Sequence, residues 1–585
     1  MKRISMKSWL GVVTFAAVWS AATPAHVRER QAADADLSTR VDKIFAVVDR
    51  QSPGCAVAII RNGAIVYKQG YGLAELDHDI RITPSTVFQV GSVAKQFTAT
   101  AILLLAQDGK LSLDDDVRKH IVEFPDLGKR VTIRQLLHHT SGVRDQLQLL
   151  ALTGWRYTQD LITNEDVMAL VVRQKALNFP PNTRYLYSNT GYTLLARIVE
   201  RVSGKTLREF TTERIFSPLG MTRTFFREDF REIVKGQAQA YVPLALVNRP
   251  VPDASEDAPA PAPNNARRPM TGYRLDVPNS DNTGPTNLLT TVEDLAWWDR
   301  NFDEPKVGGP ALIQQLLQRG KLESGEESFY AMGLGIDVYR GLTIIEHPGT
   351  DGGFAAEILR FPQQRFSVAL TCNRAGATPA AFARRIADIY LEGSLGPRDS
   401  RVAYTPITLP DAQMAAYPGL YFDQRDKTVI RIARKPNEPS TLLIRREEFK
   451  PSAAGRFHST TGLNGLIFES VDGVPGVVLQ DNKGTALNRL ARITEAQPTA
   501  AQMQEYEGEY FSDELNVPFR VSVVNGRLSL HRVRTDPEVL AGLRSDLFQV
   551  GTGRVVLEFT RDSSRRVTGF LFSTSRNLDL AFRKR

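Results

Sequence analysis

The chain has 585 residues, 42% of them hydrophobic and 24% charged, with a formal net charge of +8. That is ordinary globular usage, and the length is enough for about three or four domains. No cluster of Lys and Arg interleaved with aromatics argues for nucleic acid, and two cysteines are too few for a disulfide framework.

The first residues combine Lys2, Arg3 and Lys7 with an apolar run from Trp9 to Ala22 and small residues around Ala22 and Ala25. The run is shorter than the ~20 residues of a helical membrane span, so residues 1–25 are expected to be a signal peptide of bacterial type, cut near Ala22 or Ala25. The mature protein would then be periplasmic or secreted, with a formal charge of +5 once those three basic residues are gone. No later stretch approaches a stable membrane span.

Two apolar runs around Asn62-Gly63 predict a hairpin over 55–70. Between about 92 and 245 the period turns helical, in the segment from Ser92, in VTIRQLLHHTSG, in NEDVMALVVRQ and in GYTLLARIVERVSGKTLREFTTERIF. Residues 251–269 are dense in proline, alanine and polar residues and read as a surface excursion. Thr291, three residues before Asp294, starts a further helix. LTIIEHPG, GGFAAEILRF and FSVALTCN then read as strands, and PAAFARRIADIYLEG as a closing helix. Strands at both ends with helices between them imply an α/β (α+β) fold over 26–395, one antiparallel sheet flanked by helices. Cys55 and Cys372 lie in two of the apolar strand-like runs and are expected as buried free thiols, since nothing local shows the two strands to be neighbours.

After an irregular linker, 396–410, the texture changes to short alternating runs broken by turn residues. Ala412-Gln413-Met414 and Tyr417-Pro-Gly-Leu-Tyr421-Phe422 return 89 positions later as Ala501-Gln502-Met503 and Tyr506-Glu-Gly-Glu-Tyr510-Phe511. Each copy, 411–497 and 498–585, has room for about eight short strands, so two small antiparallel β-barrels are expected, with one larger barrel as the alternative.

Three stretches carry chemistry. In QVGSVAKQFTATAILLLAQDG, Ser92 is placed at a helix start, where unpaired N–H groups favour negative charge, and Lys95 lies over the same face. The surrounding apolar residues would bury Lys95, which disfavours its charged form and makes an amine a usable base. Read alone, Ser92 could be only a cap and Lys95 an outward-reaching surface charge. Tyr187 and Asn189, in RYLYSN, offer a phenol that can relay protons and an amide that can hold both a lysine and a substrate carbonyl. His347, Gly349 and Thr350, in EHPGT, fall at a strand end. Singly, Tyr187 reads as an ordinary half-buried aromatic and His347 as a core histidine.

In this order, and with GCAVAIIRNGAIVYKQGYG, LLHHTSGV and LLTTVEDLAWW around them, the three motifs resemble the serine β-lactamase and penicillin-binding superfamily. The branch is that of class C β-lactamases, D-alanyl-D-alanine carboxypeptidases, esterases and D-aminopeptidases. The resemblance spans residues 41 to about 395. It implies that Ser92 is the nucleophile, Lys95 its activating partner and Tyr187 the proton shuttle, and that Asn189 positions substrate and Lys95. The backbone N–H groups of Ser92 and Thr350 would form the oxyanion hole, with His347 and Gly349 beside the substrate on the edging strand. Whether Lys95 or Tyr187 takes the first proton stays open.

Where most members have lysine, this chain has His347, largely neutral at pH 7, which disfavours a substrate carboxylate at that position. The expectation is therefore an exported serine hydrolase acting on an ester or amide, with D-amino-acid amides and peptides among the substrates that the resemblance implies. The alternatives are a β-lactamase or D-alanyl-D-alanine carboxypeptidase, and a non-catalytic wall-binding protein. Two barrels after the catalytic part are also the D-aminopeptidase order. The expected partner is a small-molecule or peptide substrate, with no cofactor and no metal, because His138-His139 has no third ligand at metal-site spacing. SGKT at 203–206 lacks the earlier glycine of a phosphate loop and reads as a helix end, and Gly-x-Ser-x-Gly is absent.

Overall fold

The computed structural model describes residues 36–247, 271–397, 404–461, 464–481, 484–551 and 554–585. The chain up to Val47 is a unit of its own, helical over 36–45, and Val48–Arg585 form a second unit. The expected signal peptide, the 251–269 excursion and part of the linker lie outside the described residues. No helix among those described is long and apolar enough to cross a membrane.

The second unit opens with a six-stranded sheet made of β1 (Cys55–Arg61), β2 (Ala64–Tyr71), β3 (Gly335–Tyr339), β4 (Leu342–Asp351), β5 (Phe354–Phe361) and β6 (Phe366–Cys372). Their order is β3-β4-β5-β6-β1-β2, antiparallel throughout. The first strand thus pairs with the last, although the whole helical stretch separates them in sequence. That register sets Cys55 opposite Cys372, and the two are joined in a disulfide, so the expectation of free thiols is corrected. Two buried apolar strands with no local link between them had given no sign of this neighbourhood.

Because side chains alternate across a strand, the sheet has two faces, and its central strands β1, β5 and β6 are buried on both. Ala56, Ala58, Ile60, Ile345, Ile358 and Ala369 join one core with the helices α1 (Lys95–Gln107), α2 (Asn189–Ser203) and α4 (Val292–Arg300), the label α3 going to Leu207–Thr211. On the opposite face Glu346 meets Arg384 of α5 (Pro379–Tyr390) at 2.6 Å. Helix α1 is buried from Lys95 through Leu105, as its apolar residues on every side require. Ser92 does not open it. It lies in a separate 3-10 turn, Gly91–Ala94, and the α-helix begins at Lys95 with no side-chain cap, a correction that removes capping as a role for Ser92.

Thr291 caps α4 as expected, accepting the Asp294 N–H at 3.0 Å. Helix α2 ends at Gly204, in the left-handed region at φ 71°, and Thr206 forms a capping box with Glu209 at the start of α3, so SGKT is a helix junction. The single long helical pattern through 216 breaks into α2, α3 and a π turn over Thr212–Phe216.

Each C-terminal repeat closes into its own eight-stranded antiparallel barrel, the first from Gly419–Asp423 to Ala486–Ile493 and the second from Gly508–Ser512 to Leu580–Lys584. This excludes one larger barrel. The repeated Tyr-x-Gly-x-Tyr has a physical basis, because the Tyr421 hydroxyl donates to the Tyr417 carbonyl and the Tyr510 hydroxyl to the Tyr506 carbonyl, both at 2.7 Å.

Candidate active site

The three predicted motifs meet at one cleft of about 340 Å³, lined among others by Ser92, Tyr187, Asn189, His347, Thr350, Asp351 and Arg576. Lys95 Nζ lies 3.0 Å from Ser92 Oγ, 2.9 Å from Asn189 Oδ1 and 2.9 Å from the carbonyl oxygen of Pro285. The side chain is fully buried, and desolvation pulls its pKa well below the usual lysine range, partly opposed by Asp145 and helped by Arg576.

Asp145 fixes the orientation of Asn189. One of its carboxylate oxygens accepts both the Asn189 backbone N–H, at 2.8 Å, and the Asn189 side-chain amide, at 2.9 Å. Since a carboxylate only accepts, the Asn189 NH₂ must face it and Oδ1 must face Lys95. The other oxygen of Asp145 accepts the N–H groups of Leu147 and Gln148, capping Gln146–Leu152.

Tyr187 stands over this pair, its ring 4.8 Å from Lys95 Nζ. Desolvation raises its pKa, with Ser92 and Arg576 acting in the opposite direction, so the phenol is neutral near pH 7. His139 packs against the Tyr187 ring, tilted at 38° with centroids 4.2 Å apart, and accepts the Ser188 N–H at Nδ1. The His138-His139 pair thus belongs to the turn that supports Tyr187, and the described residues contain no group of three potential metal ligands.

On β4, His347 is buried and both ring nitrogens are engaged. Nδ1 lies 2.7 Å from the Pro348 carbonyl oxygen and Nε2 lies 2.9 Å from the Tyr330 hydroxyl. A carbonyl only accepts, so Nδ1 carries the hydrogen and Nε2 accepts from Tyr330. Burial, reinforced by Lys95, lowers the pKa of His347 to about 3, leaving a neutral ring with no free N–H for substrate. At Gly349 an added Cβ would sit 1.9 Å from the Val90 carbonyl oxygen and 3.1 Å from Ser92 N. Glycine there lets β4 run against the 90–92 turn, bringing the Thr350 segment beside the Ser92 backbone.

Four contributors were not read from the sequence. Asp145 is visible in retrospect as a cap just after the LLHHTSG turn. Pro285 supplies only a carbonyl oxygen, and Tyr330 lies in an irregular segment, so neither had a local signal. Arg576 comes from the second barrel, in the loop between Val567–Ser573 and Leu580–Lys584. Its guanidinium lies 4.9 Å from the Tyr187 ring and 3.6 Å from Asp145.

An antiparallel sheet backed by helices, with a serine and a lysine on the turn and helix facing its β4 strand, is the architecture of the β-lactamase and transpeptidase-like serine hydrolases. Residues 25–391 match the Beta-lactamase family, and the chain belongs to it. "Protein flp" of Staphylococcus aureus (strain N315) is 26% identical over 358 residues, 58% of this chain and 63% of that protein. A D-aminopeptidase of Gluconobacter oxydans (strain 621H) is 26% identical over 385 residues, 66% of each chain. The matches thus span slightly less than two thirds of these relatives. In fold, the chain is similar to SurE, with a TM-score of 0.52 and 21% identity over 80% of this chain and 100% of that one. It is also similar to an octameric penicillin-binding protein homologue from Pyrococcus abyssi, with a TM-score of 0.51 and 21% identity over 86% and 98%.

Proposed function

We propose that the protein is an exported serine hydrolase that works through an acyl-enzyme on an ester or amide, with D-amino-acid amides and peptides as the leading class. The observation that carries this reading is the contact of Lys95 Nζ with Ser92 Oγ at 3.0 Å in a desolvated site. Asn189 Oδ1 and the Pro285 carbonyl only accept, so each takes a hydrogen from Nζ. In the neutral amine that desolvation favours, the third direction, toward Ser92 Oγ, would hold the lone pair that receives the Ser92 proton. This favours Lys95 as the general base, because Tyr187, with its raised pKa, keeps its proton near neutrality.

In the first half-reaction the Ser92 proton passes to Lys95 as Oγ bonds to the acyl carbon, and the carbonyl electron pair moves onto oxygen. The N–H groups of Ser92 and Thr350 receive that oxyanion. Collapse expels the leaving group, which takes a proton relayed by Tyr187. Water then adds to the acyl carbon with the same groups, and Ser92 departs with its proton restored.

The likeness to a D-aminopeptidase, the neutral His347 and the two barrels support the ester or amide reading over a β-lactamase or D-alanyl-D-alanine carboxypeptidase. The contact of Ser92, Lys95, Tyr187 and Asn189 weighs against a non-catalytic wall-binding protein. The test is turnover by the mature protein and its Ser92→Ala variant on short-chain nitrophenyl esters, D-alanine nitroanilide and a chromogenic cephalosporin. Ser92-dependent cleavage of the first two is expected. Absence of any Ser92-dependent turnover refutes the hydrolase reading, and efficient cephalosporin turnover overturns the inference from His347.

A further inference from the structure

The cleft holds one permanent charge that the reaction above does not use. We propose that Arg576, carried by the second barrel, is a specificity-determining residue that receives a carboxylate of the substrate. The esters or amides cleaved best would then carry an acidic group within reach of the Tyr187 ring. The proposal rests on the serine-hydrolase reading for its chemistry and names the substrate class of the same site.

Arg576 is the only lysine or arginine among the described residues lining the cleft. Its side chain is 37% exposed, and its charged contacts are the face of Tyr187 at 4.9 Å and the ion pair with Asp145 at 3.6 Å. Asp145 is already committed, since its oxygens accept from Asn189, Leu147 and Gln148 at hydrogen-bonding distance. Among the described residues the guanidinium donates no hydrogen bond, which leaves its planar fork of N–H donors open to the cleft. An arginine fork matches a carboxylate in bidentate geometry.

The backbone around it is fixed rather than loose. Arg576 N–H donates to Gln148 Oε1 at 3.0 Å, and its carbonyl accepts from Asn178 Nδ2 at 2.8 Å. Asn577 and Asp145 exchange hydrogen bonds through the Asn577 amide at 2.7 and 3.1 Å, and Leu578 N–H donates to Asn178 Oδ1 at 2.8 Å. The barrel loop is thus pinned to the segments that hold Asn189, with its cation aimed into the cleft.

The other charges near the site are spent. Lys95 is held by Ser92, Asn189 and Pro285, and His347 is neutral with both nitrogens bonded. Asp351, which would otherwise suit a substrate ammonium, accepts from Gln89 at 2.7 Å and from Tyr157 and Thr286. The unspent charge offered to a ligand is positive.

The test uses matched esters. In one pair the acid is on the acyl half, 4-nitrophenyl hemisuccinate against its methyl ester. In the other it is on the leaving half, 3-carboxyphenyl butyrate against phenyl butyrate. For at least one pair the full-length protein is expected to prefer the acid by about tenfold or more in kcat/KM, a preference that Arg576→Gln abolishes and Arg576→Lys keeps in part. A ratio near one in the parent protein, an unchanged ratio in Arg576→Gln, or an equal loss on both members overturns the proposal. If no ester shows Ser92-dependent turnover, the hydrolase reading fails instead. The role of Arg576 is then read from calorimetric binding of butyrate against butyramide and benzoate against benzamide, where loss of an acid preference in Arg576→Gln supports it and absence of one refutes it.

Discussion

At the scale of single residues, burial sets the balance of protonation. Lys95, Tyr187 and His347 are all desolvated, which shifts each toward its neutral form: the amine pKa falls well below the lysine range, the phenol pKa rises, and the imidazole is neutral near pH 7. The pH dependence follows in sign. Acylation needs the neutral amine, so kcat/KM rises with pH as the Lys95 ammonium loses its proton, with a midpoint well below the usual lysine range, and then levels off. His347 contributes no limb between pH 5 and 8, because it stays neutral down to about pH 3. Lys95→Met is expected to lower kcat/KM by about a thousandfold, within the range of general-base catalysis, and to remove that limb. Pre-steady-state nitrophenol release across pH measures both, and a rate still climbing at the usual lysine pKa would show a protonated Lys95.

Elements were legible in the sequence where the signal was local. The strands β4, β5 and β6 each carry a short apolar stretch, and the hairpin β1–β2 is marked by Asn62-Gly63. Strand β3 went unread because Gly335–Tyr339 is short, edge-placed and exposed only at Asp337 and Val338, with no apolar run to announce it. The Gly91–Ala94 turn blurred the start of α1, since a 3-10 turn and an α-helix share nearly the same spacing. The pairing of β1 with β6, and with it the disulfide, depends on contacts across the whole domain. At this scale the close approach of β4 to the 90–92 turn is testable through Gly349→Ala. Its Cβ would overlap the Val90 carbonyl, pushing the Thr350 segment away from Ser92. A displacement of this kind is expected to cost about a hundredfold in kcat with the fold kept, read by steady-state kinetics beside circular dichroism. Unchanged kcat would mean that the two segments need not touch.

At the scale of the whole molecule, the barrels are part of the site. Arg144, next to Asp145, is buried against Glu514 of the second barrel, and Arg184, which begins the RYLYSN stretch, pairs with Asp426 of the first. Lys427 joins the two barrels through Asp579 at 3.1 Å. The three motifs of the candidate site were legible because each packs its functional groups into a few adjacent residues. Arg576 was not, because it reaches the cleft only when a barrel nearly five hundred positions from Ser92 docks beside Asn189. The proposed function makes one event central, the transfer of an acyl group to Ser92. The most direct test is peptide-mapping mass spectrometry of the full chain quenched during turnover of a 4-nitrophenyl ester. An acyl adduct is expected on Ser92, absent in Ser92→Ala and strongly reduced in Lys95→Met. Turnover with no adduct, or with the acyl group on another residue, would contradict it.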